Sequence, residues 1–430
     1  LHMYSPLLPG PESIRLMYLA PALDPIVPLR VSFQVVNIHD PATQYDAISY
    51  TWDEPIFEHV LLIDHGSSPL VTKNLNNALR RFRLPATERM LWAVAVCINQ
   101  GDDEEKARQI PLMAEIFRQA KMVLAWLEGG ATEKRGLNPI DQLSRVPRAI
   151  MDESANAQRS GKPRTWEPPP EDQQAIRRFF RLAWFGRLWV VQEIVMNTGV
   201  ILFCGAAHTS WTRLTSALNS LAMTAPGVTT YISFNKFEAL QVVARLCKYH
   251  CLAEGSGSGA GSPKSQQDLL TIVDRFREYH CADAHGRIFA LYSMASDVEP
   301  YEPWRPSITA GSIDDVKIQT AVNYALDVRQ TYHMFAGACF ASNRVAQVLN
   351  AVLSRPFSPD WPSWVPDWRA RPSKLMFKLQ ENLDWEAFLS GNILHLSIHD
   401  REIHLDGGFL EICWATPAGE NEEQLWATLS

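Results

Sequence analysis

The side chains best suited to chemistry stand where apolar runs end. "LWAVAVCINQ", Leu91 to Gln100, closes on two amides, Asn99 and Gln100, and "YDAISYTW" ends on Trp52, followed by Asp53. Open parallel sheets bind ligands beyond the carboxyl ends of their strands, where amides, an indole and a carboxylate can hydrogen-bond and stack on a ligand. The same groups also serve loop backbone. A second set lies in "RLWVVQE": Arg187, Trp189 and Glu193. Trp189 and Glu193 are four positions apart and share one helix face. Those residues equally suit a plain structural role, an Arg–Glu pair beside a core tryptophan.

Other chemistry finds little footing. "CKYHC" (Cys247, His250, Cys251), with His280, Cys281 and His285 downstream, matches no familiar zinc spacing, so no metal site is expected. The chain has no Gly-rich phosphate loop, no GxSxG elbow and no HExxH motif. Its "WD" dipeptide, Trp52–Asp53, does not recur at a fixed period, which excludes a propeller array.

The elements that must position these residues alternate between strand and helix. "YDAISYTW" reads as a strand, and "HVLLID" with "PLVT" as a hairpin or two short strands. Asn74 is expected to cap a helix that buries Leu75, Ala78, Leu79 and Phe82. Leu91 to Ile98 reads as a strand covered on both faces, with Val94 in its middle. Asp102 and Glu105 suit a helix cap. Ile110, Met113, Ala114 and Phe117 repeat at helical spacing around Pro111, which should kink or restart that helix. "MVLAWL", Met122 to Leu127, is the next strand, and the βαβ spacing makes it parallel to the one before. After a Pro- and Arg-rich stretch come a helix, a break at Gly186, and a second helix carrying Leu188, Val191, Ile194 and Val195. "VILFCG" reads as a strand. The chain is then mainly helical up to "GSGSGAGSPKS", a low-complexity linker. "RIFALYSM" reads as helical or buried, and period-two alternation after Asn392 predicts a small antiparallel β unit.

The bulk properties fit this outline. At 430 residues, two or three packed units are expected. A 46% hydrophobic and 20% charged composition is that of a globular protein, and a net charge of −7 gives no basic footprint for nucleic acid. No apolar run is long enough to span a bilayer, and prolines interrupt "MYLAPALDPIVPL", so neither a membrane span nor a secretory signal is expected. Seven scattered cysteines point to free thiols in a reducing, cytoplasmic setting.

Several of these segments together resemble the HET (heterokaryon incompatibility) domain of filamentous fungi: "YDAISYTW", "NLNNALRRFR", "LWAVAVCINQ", "EEKARQIPLMAEIFRQAKMVLAWL" and "WFGRLWVVQEIVMN". "DAHGRIFALYSM" and "PSWVPDW" resemble segments that follow in full-length members. The resemblance implies an α/β fold with a TIR-like (flavodoxin-like) parallel-sheet core, large helical insertions and a small C-terminal β unit. The expected division is a HET domain over 1–206, a mainly helical extension over 207–300 with the linker at 255–265, and a C-terminal α+β region over 301–430. It also implies nonself recognition and cell death, triggered by self-association or by an activating protein partner.

The likeness to TIR domains, several of which hydrolyse NAD, gives the residues roles. NAD-cleaving members carry a glutamate four positions after a tryptophan, the interval from Trp189 to Glu193. The carboxylate would stabilise an oxocarbenium-like state as the ribosyl–nicotinamide bond breaks, and the indole would exclude water. Arg187 would pair with pyrophosphate. Trp52, Asp53, Asn99 and Gln100 would line the substrate site, with NAD as substrate and no bound cofactor or metal. Two positions depart from the family. Val94 stands where the "LWxDA" pattern has aspartate, and Asp53 stands where glycine usually follows the tryptophan. Valine implies an activity lost, changed or silenced, since a buried aspartate is kept only for a network or a function. The alternatives are a non-catalytic interaction module and a HET scaffold recruited for small-molecule biosynthesis, which the 14 tryptophans permit.

Overall fold

The computed structural model describes residues 4, 6–7, 12–52, 56–63, 68–128, 177–224, 233–255, 268–299, 317–319, 322–342, 344–352, 361–362, 364–370, 396–399, 402–405 and 408–410. The chain divides into two compact units, Leu1–Ser265 and Gln266–Ser430. The Gly/Ser linker expected at 255–265 falls, apart from Gly255, outside the described residues.

The first unit is built on a seven-stranded sheet. In chain order its strands are β1 (Ser13–Leu19), β2 (Val31–Asn37), β3 (Asp46–Tyr50), β6 (Arg89–Trp92), β7 (Met122–Glu128), β8 (Val200–Cys204) and β9 (Ala207–Ser210). In space they run β2-β1-β6-β3-β7-β8-β9. The pairs β6–β3, β3–β7 and β7–β8 are parallel. β1, β2 and β9 add antiparallel edges. Numbered among themselves, the four parallel strands lie in the order 2-1-3-4, the order in which flavodoxin-like doubly wound sheets begin. Such a sheet reverses direction between its first and third strands, here β3 and β7. Because both faces are covered, the inner strands read as apolar runs: every residue of β3 is buried, as are Val123 to Leu127.

The expected hairpin forms from β4 (Phe57–Val60) and β5 (Leu70–Thr72), paired antiparallel. It leads into α1 (Lys73–Phe82), which buries Leu75, Ala78, Leu79 and Phe82 as the 3.6 period requires. The cap is not Asn74. Thr72 takes that position and accepts from the backbone N–H of Leu75, so Asn74 is free to turn inward from the first turn.

The largest departure from expectation is at Leu91–Ile98, which is not one strand. β6 ends at Trp92, and Val94–Cys97 forms a single helical turn, α2. The Cys97 N–H bonds the Ala93 carbonyl at 2.9 Å, while the Ala93 N–H donates to the Cys97 thiol at 3.3 Å. A short apolar run looks alike as buried strand and as buried helix, so periodicity could not separate the two. Asp102 does cap α3 (Asp103–Gln109), and the helix restarts beyond Pro111 as α4 (Met113–Gln119). Past residues 177–180 and a 3₁₀ turn at Ala183–Gly186 comes α5 (Trp189–Val195). It packs against α4 on one side and against the long helix Phe234–Gly255 on another.

In the second unit, Leu269–Arg275, Gly286–Phe289, Val328–Ala341 and Val345–Val352 are helical. Trp361 and, in the "PSWVPDW" segment that follows it, Trp368 pack against Tyr332, and Trp364 packs against Phe340. The alternating C-terminal segment forms three antiparallel strands, Leu396–His399, Glu402–Leu405 and Gly408–Leu410. No described helix is long and apolar enough to cross a membrane.

Candidate functional site

The site forms at the carboxyl end of the parallel sheet, around the reversal between β3 and β7. Ser49 lies near the end of β3 and is fully buried. Its hydroxyl oxygen accepts the Trp184 indole N–H at 2.8 Å. Trp184 is held edge-on to Phe185, which itself packs against Phe179 and Phe180, so the indole has little freedom. Arg187 donates to the Tyr50 carbonyl at the end of β3. Arg187 thus stands at the strand terminus. Trp189, half-buried, opens α5, and the buried Glu193 follows four residues on, about 6 Å along the axis.

Glu193 is 4% exposed, and its Oε2 has no hydrogen-bond partner. Burial pushes its pKa up, while the nearby Arg187 guanidinium and the Ser49 hydroxyl act in the opposite direction. A buried carboxyl with an unpartnered oxygen can accept or deliver a proton or face a developing cation.

A second network lies across the sheet. Tyr50 pairs with Trp126 in the β3–β7 register, so alternation sends Ser49 and Trp126 to opposite faces. The Trp126 indole donates to Asn74 Oδ1 at 2.8 Å, and Asn74 Nδ2 donates to both the carbonyl and the hydroxyl of Thr51 at 2.8 Å. These bonds hold the end of β3 against α1 and so orient the half-buried Trp52 that follows. Asp53 lies outside the described residues.

The other expected site residues are placed as follows. Gln100 Nε2 donates to the Val94 carbonyl at 2.7 Å and to the Ile98 carbonyl at 3.2 Å. Asn99 Oδ1 accepts from Gly101 N–H, and Asn99 N–H donates to Glu105 at 2.7 Å. Both amides thus fasten the loop after α2. Val94 is the first residue of α2 and half-buried, not the middle of a buried strand. An aspartate there would stand at the rim of the sheet's carboxyl end, in a first helical turn, with little desolvation cost. Among the described residues, no group of His, Cys, Asp and Glu is arranged to hold a metal ion.

Ser49, Trp184, Asn74 and Trp126 escaped the sequence reading. A single signal pointed to Ser49: a hydroxyl buried inside a strand requires a polar partner.

The geometry defines a mixed α/β protein with a mostly parallel central sheet and a buried carboxyl, Glu193, among its core residues. Residues 45–193 match the family model for heterokaryon incompatibility protein (HET). The match opens one residue before β3 and closes on Glu193, so it encloses the buried site. Heterokaryon incompatibility protein 6, OR allele, of Neurospora crassa is 23% identical over 394 residues, covering 78% of this chain and 54% of the relative. The chain thus spans about half the length of that relative. No solved structure matches the chain.

Proposed function

We propose that this chain acts in fungal heterokaryon incompatibility, converting nonself recognition into cell death, and that the HET domain does so by hydrolysing NAD at a TIR-like site. The observation that carries the chemical part is Glu193, a buried carboxyl that is unpartnered at Oε2. In the reaction the bond from the ribose anomeric carbon to nicotinamide breaks, nicotinamide leaves with the bonding electrons, and water adds to that carbon. Glu193 stabilises the cationic ribosyl group, and Trp189 covers the ring from the top of α5. The strand order 2-1-3-4 supports the TIR comparison, and the name of the Neurospora relative supports the incompatibility role. Activation proceeds through self-association or an activating protein partner.

The test compares NAD loss for the purified chain, for Val94→Asp, and for Val94→Asp with Glu193→Ala. Turnover that the aspartate raises and the alanine removes, with folding intact, supports the enzyme reading. Three inert, folded proteins defeat it.

A second reading has its own observation. Arg187 and Gln100 direct donors at carbonyls of this same chain, and Asn99 donates its backbone N–H to the Glu105 carboxylate while its side chain accepts from Gly101, as structural residues do. On that reading the domain signals by binding alone. Inert proteins that still self-associate in sedimentation would move it ahead.

A further inference from the structure

We propose that the loop joining β1 to β2, residues 20–30, docks the first unit on an anionic phospholipid bilayer, inserting Leu23 and Ile26 while Arg80, Arg81 and Arg83 meet the lipid phosphates. The proposal is independent of any chemistry at Glu193.

Among the described residues, Leu23 and Ile26 are the most exposed large apolar side chains, at 87% and 83%, and Val27 beside them is 42% exposed. One exposed aliphatic residue is ordinary on a protein surface, but three within five positions of one loop make a patch. The loop is also held in shape. The Ala20 N–H closes its neck on the Arg30 carbonyl at 3.0 Å, and the Ala22 N–H bonds the Leu84 carbonyl at 3.1 Å. Pro21, Pro25 and Pro28 fix three of its φ angles. Arg80, on α1, donates to the Pro25 and Val27 carbonyls. Arg83, at the end of that helix, donates to the carbonyls of Asp24, Pro25, Val27 and Pro28 at 3.0 to 3.3 Å. A tip ordered beforehand loses little entropy when it is bound.

What the tip fits follows from its composition and charge. Anchors at protein interfaces are rich in Trp, Tyr and Arg and poor in Leu and Val. This tip carries no aromatic ring, and its aliphatic side chains stand out in solvent rather than lining a groove. Apolar side chains backed by cations suit a bilayer surface instead: the apolar area enters the headgroup–acyl boundary, and the cations are drawn to anionic lipid. The Arg80 and Arg83 guanidiniums hold carbonyls of the tip itself, so their charges lie directly behind Leu23 and Ile26. Arg81, at the same end of α1, is exposed and donates to the Ala206 carbonyl. Carbonyl acceptors leave a guanidinium charged. Among the described residues no carboxylate forms an ion pair with any of the three, and α1 contains no acid. The loop's own acid, Asp24, turns back to accept the Ile26 N–H at 2.8 Å. The net charge of −7 does not oppose this, because screening confines the interaction to about 10 Å around the tip.

The experiment is co-sedimentation of the full chain with phosphatidylcholine vesicles, with and without phosphatidylserine, at low and high salt. The mixed vesicles should bind the chain, less so as salt rises, and pure phosphatidylcholine far less. Leu23→Ser with Ile26→Ser should lower the partition coefficient at least about tenfold. Arg81→Gln should lower it about fivefold on the mixed vesicles. Leu23→Trp should raise it, since an indole settles at the interface, and it serves if the serine protein fails the circular dichroism check for folding. No binding to the mixed vesicles overturns the proposal. So does binding that is unchanged in the folded serine variant, or in Leu23→Trp should the serine protein not fold. Equal, salt-independent binding to both vesicle types overturns it as well, by removing the arginines. A chain that ignores vesicles but dimerises in sedimentation through Leu23 and Ile26 assigns the loop to a second copy instead.

Discussion

Arg15 on β1 and Glu105 on α3 form a buried, two-pronged ion pair, at 2.9 Å through Nη1 and 3.3 Å through Nη2. The same guanidinium donates to the Cys97 carbonyl at 2.9 Å, and the same carboxylate accepts the Asn99 N–H at 2.7 Å. One pair therefore holds both sides of the loop that carries Val94, Asn99 and Gln100. Removing one partner leaves an uncompensated buried charge, which typically costs about 3–5 kcal/mol. Glu105→Ala should lose stability in that range by urea denaturation. The double change Arg15→Met with Glu105→Leu should recover most of it, because a buried pair often matches an apolar isostere. A loss below about 1 kcal/mol for the single variant would mean that the pair is not buried in solution.

Glu193 gives the fold a pH dependence of definite sign. Its folded pKa is raised above the unfolded value, chiefly by burial. Between the two values the folded state binds more protons than the unfolded state, so this group's contribution is fully present below the unfolded pKa and is lost as pH rises through the folded pKa. Glu193→Gln removes the titration. Thermal melts across pH 4 to 9 should therefore show the stability of the variant gaining on that of the parent as pH rises. Parallel curves for the two proteins would contradict a raised pKa at Glu193.

Asn74 tests the opposite face. It satisfies the Trp126 indole and two oxygens of Thr51 at once. Asn74→Ala leaves the buried Trp126 indole N–H unmatched, at about 1–3 kcal/mol for a buried unsatisfied group. Asn74→Asp keeps the acceptor for Trp126 and loses the donor to Thr51, so it should be no better than alanine. The check is guanidinium unfolding monitored by tryptophan fluorescence. Wild-type stability in Asn74→Ala would show that Thr51 and Trp126 find other partners.

The parallel core was legible in the chain because burial on both faces writes itself as apolar runs. β3, β7 and β8 stand where "YDAISY", "MVLAWL" and "VILFC" put them. The stretch at Val94 was not legible, since the apolar residues Ala93 to Ile98 after Trp92 satisfy a buried strand and a buried helical turn equally. Trp189 and Glu193 were visible as an i, i+4 pair, and they do share α5. The sequence could not show that Arg187 turns to the Tyr50 carbonyl, or that Ser49 and Trp184, 135 positions apart, share a hydrogen bond. Asn74 misled for a local reason. Threonine and asparagine both cap helices, and the residue two positions earlier, Thr72, took the role.

Cys97 offers a probe of the loop that Arg15 and Glu105 hold. Its thiol is fully buried, and burial pushes its pKa up to about 12, against smaller opposing effects from the Ala93 N–H and Arg15. At pH 8 the thiolate fraction is then about 10⁻⁴, so the folded protein should react there extremely slowly. Cys281 is only half-buried and serves as an internal comparison. Iodoacetamide labelling followed by peptide mass spectrometry should find Cys281 modified well before Cys97. Because Arg15 also holds the Cys97 carbonyl, loosening the pair should expose the thiol. Glu105→Gln is therefore expected to speed labelling of Cys97 at least tenfold at a denaturant concentration where the protein remains folded, leaving Cys281 unchanged. Equal acceleration at both cysteines would indicate global unfolding, and no acceleration at Cys97 would show that the loop is held by other contacts.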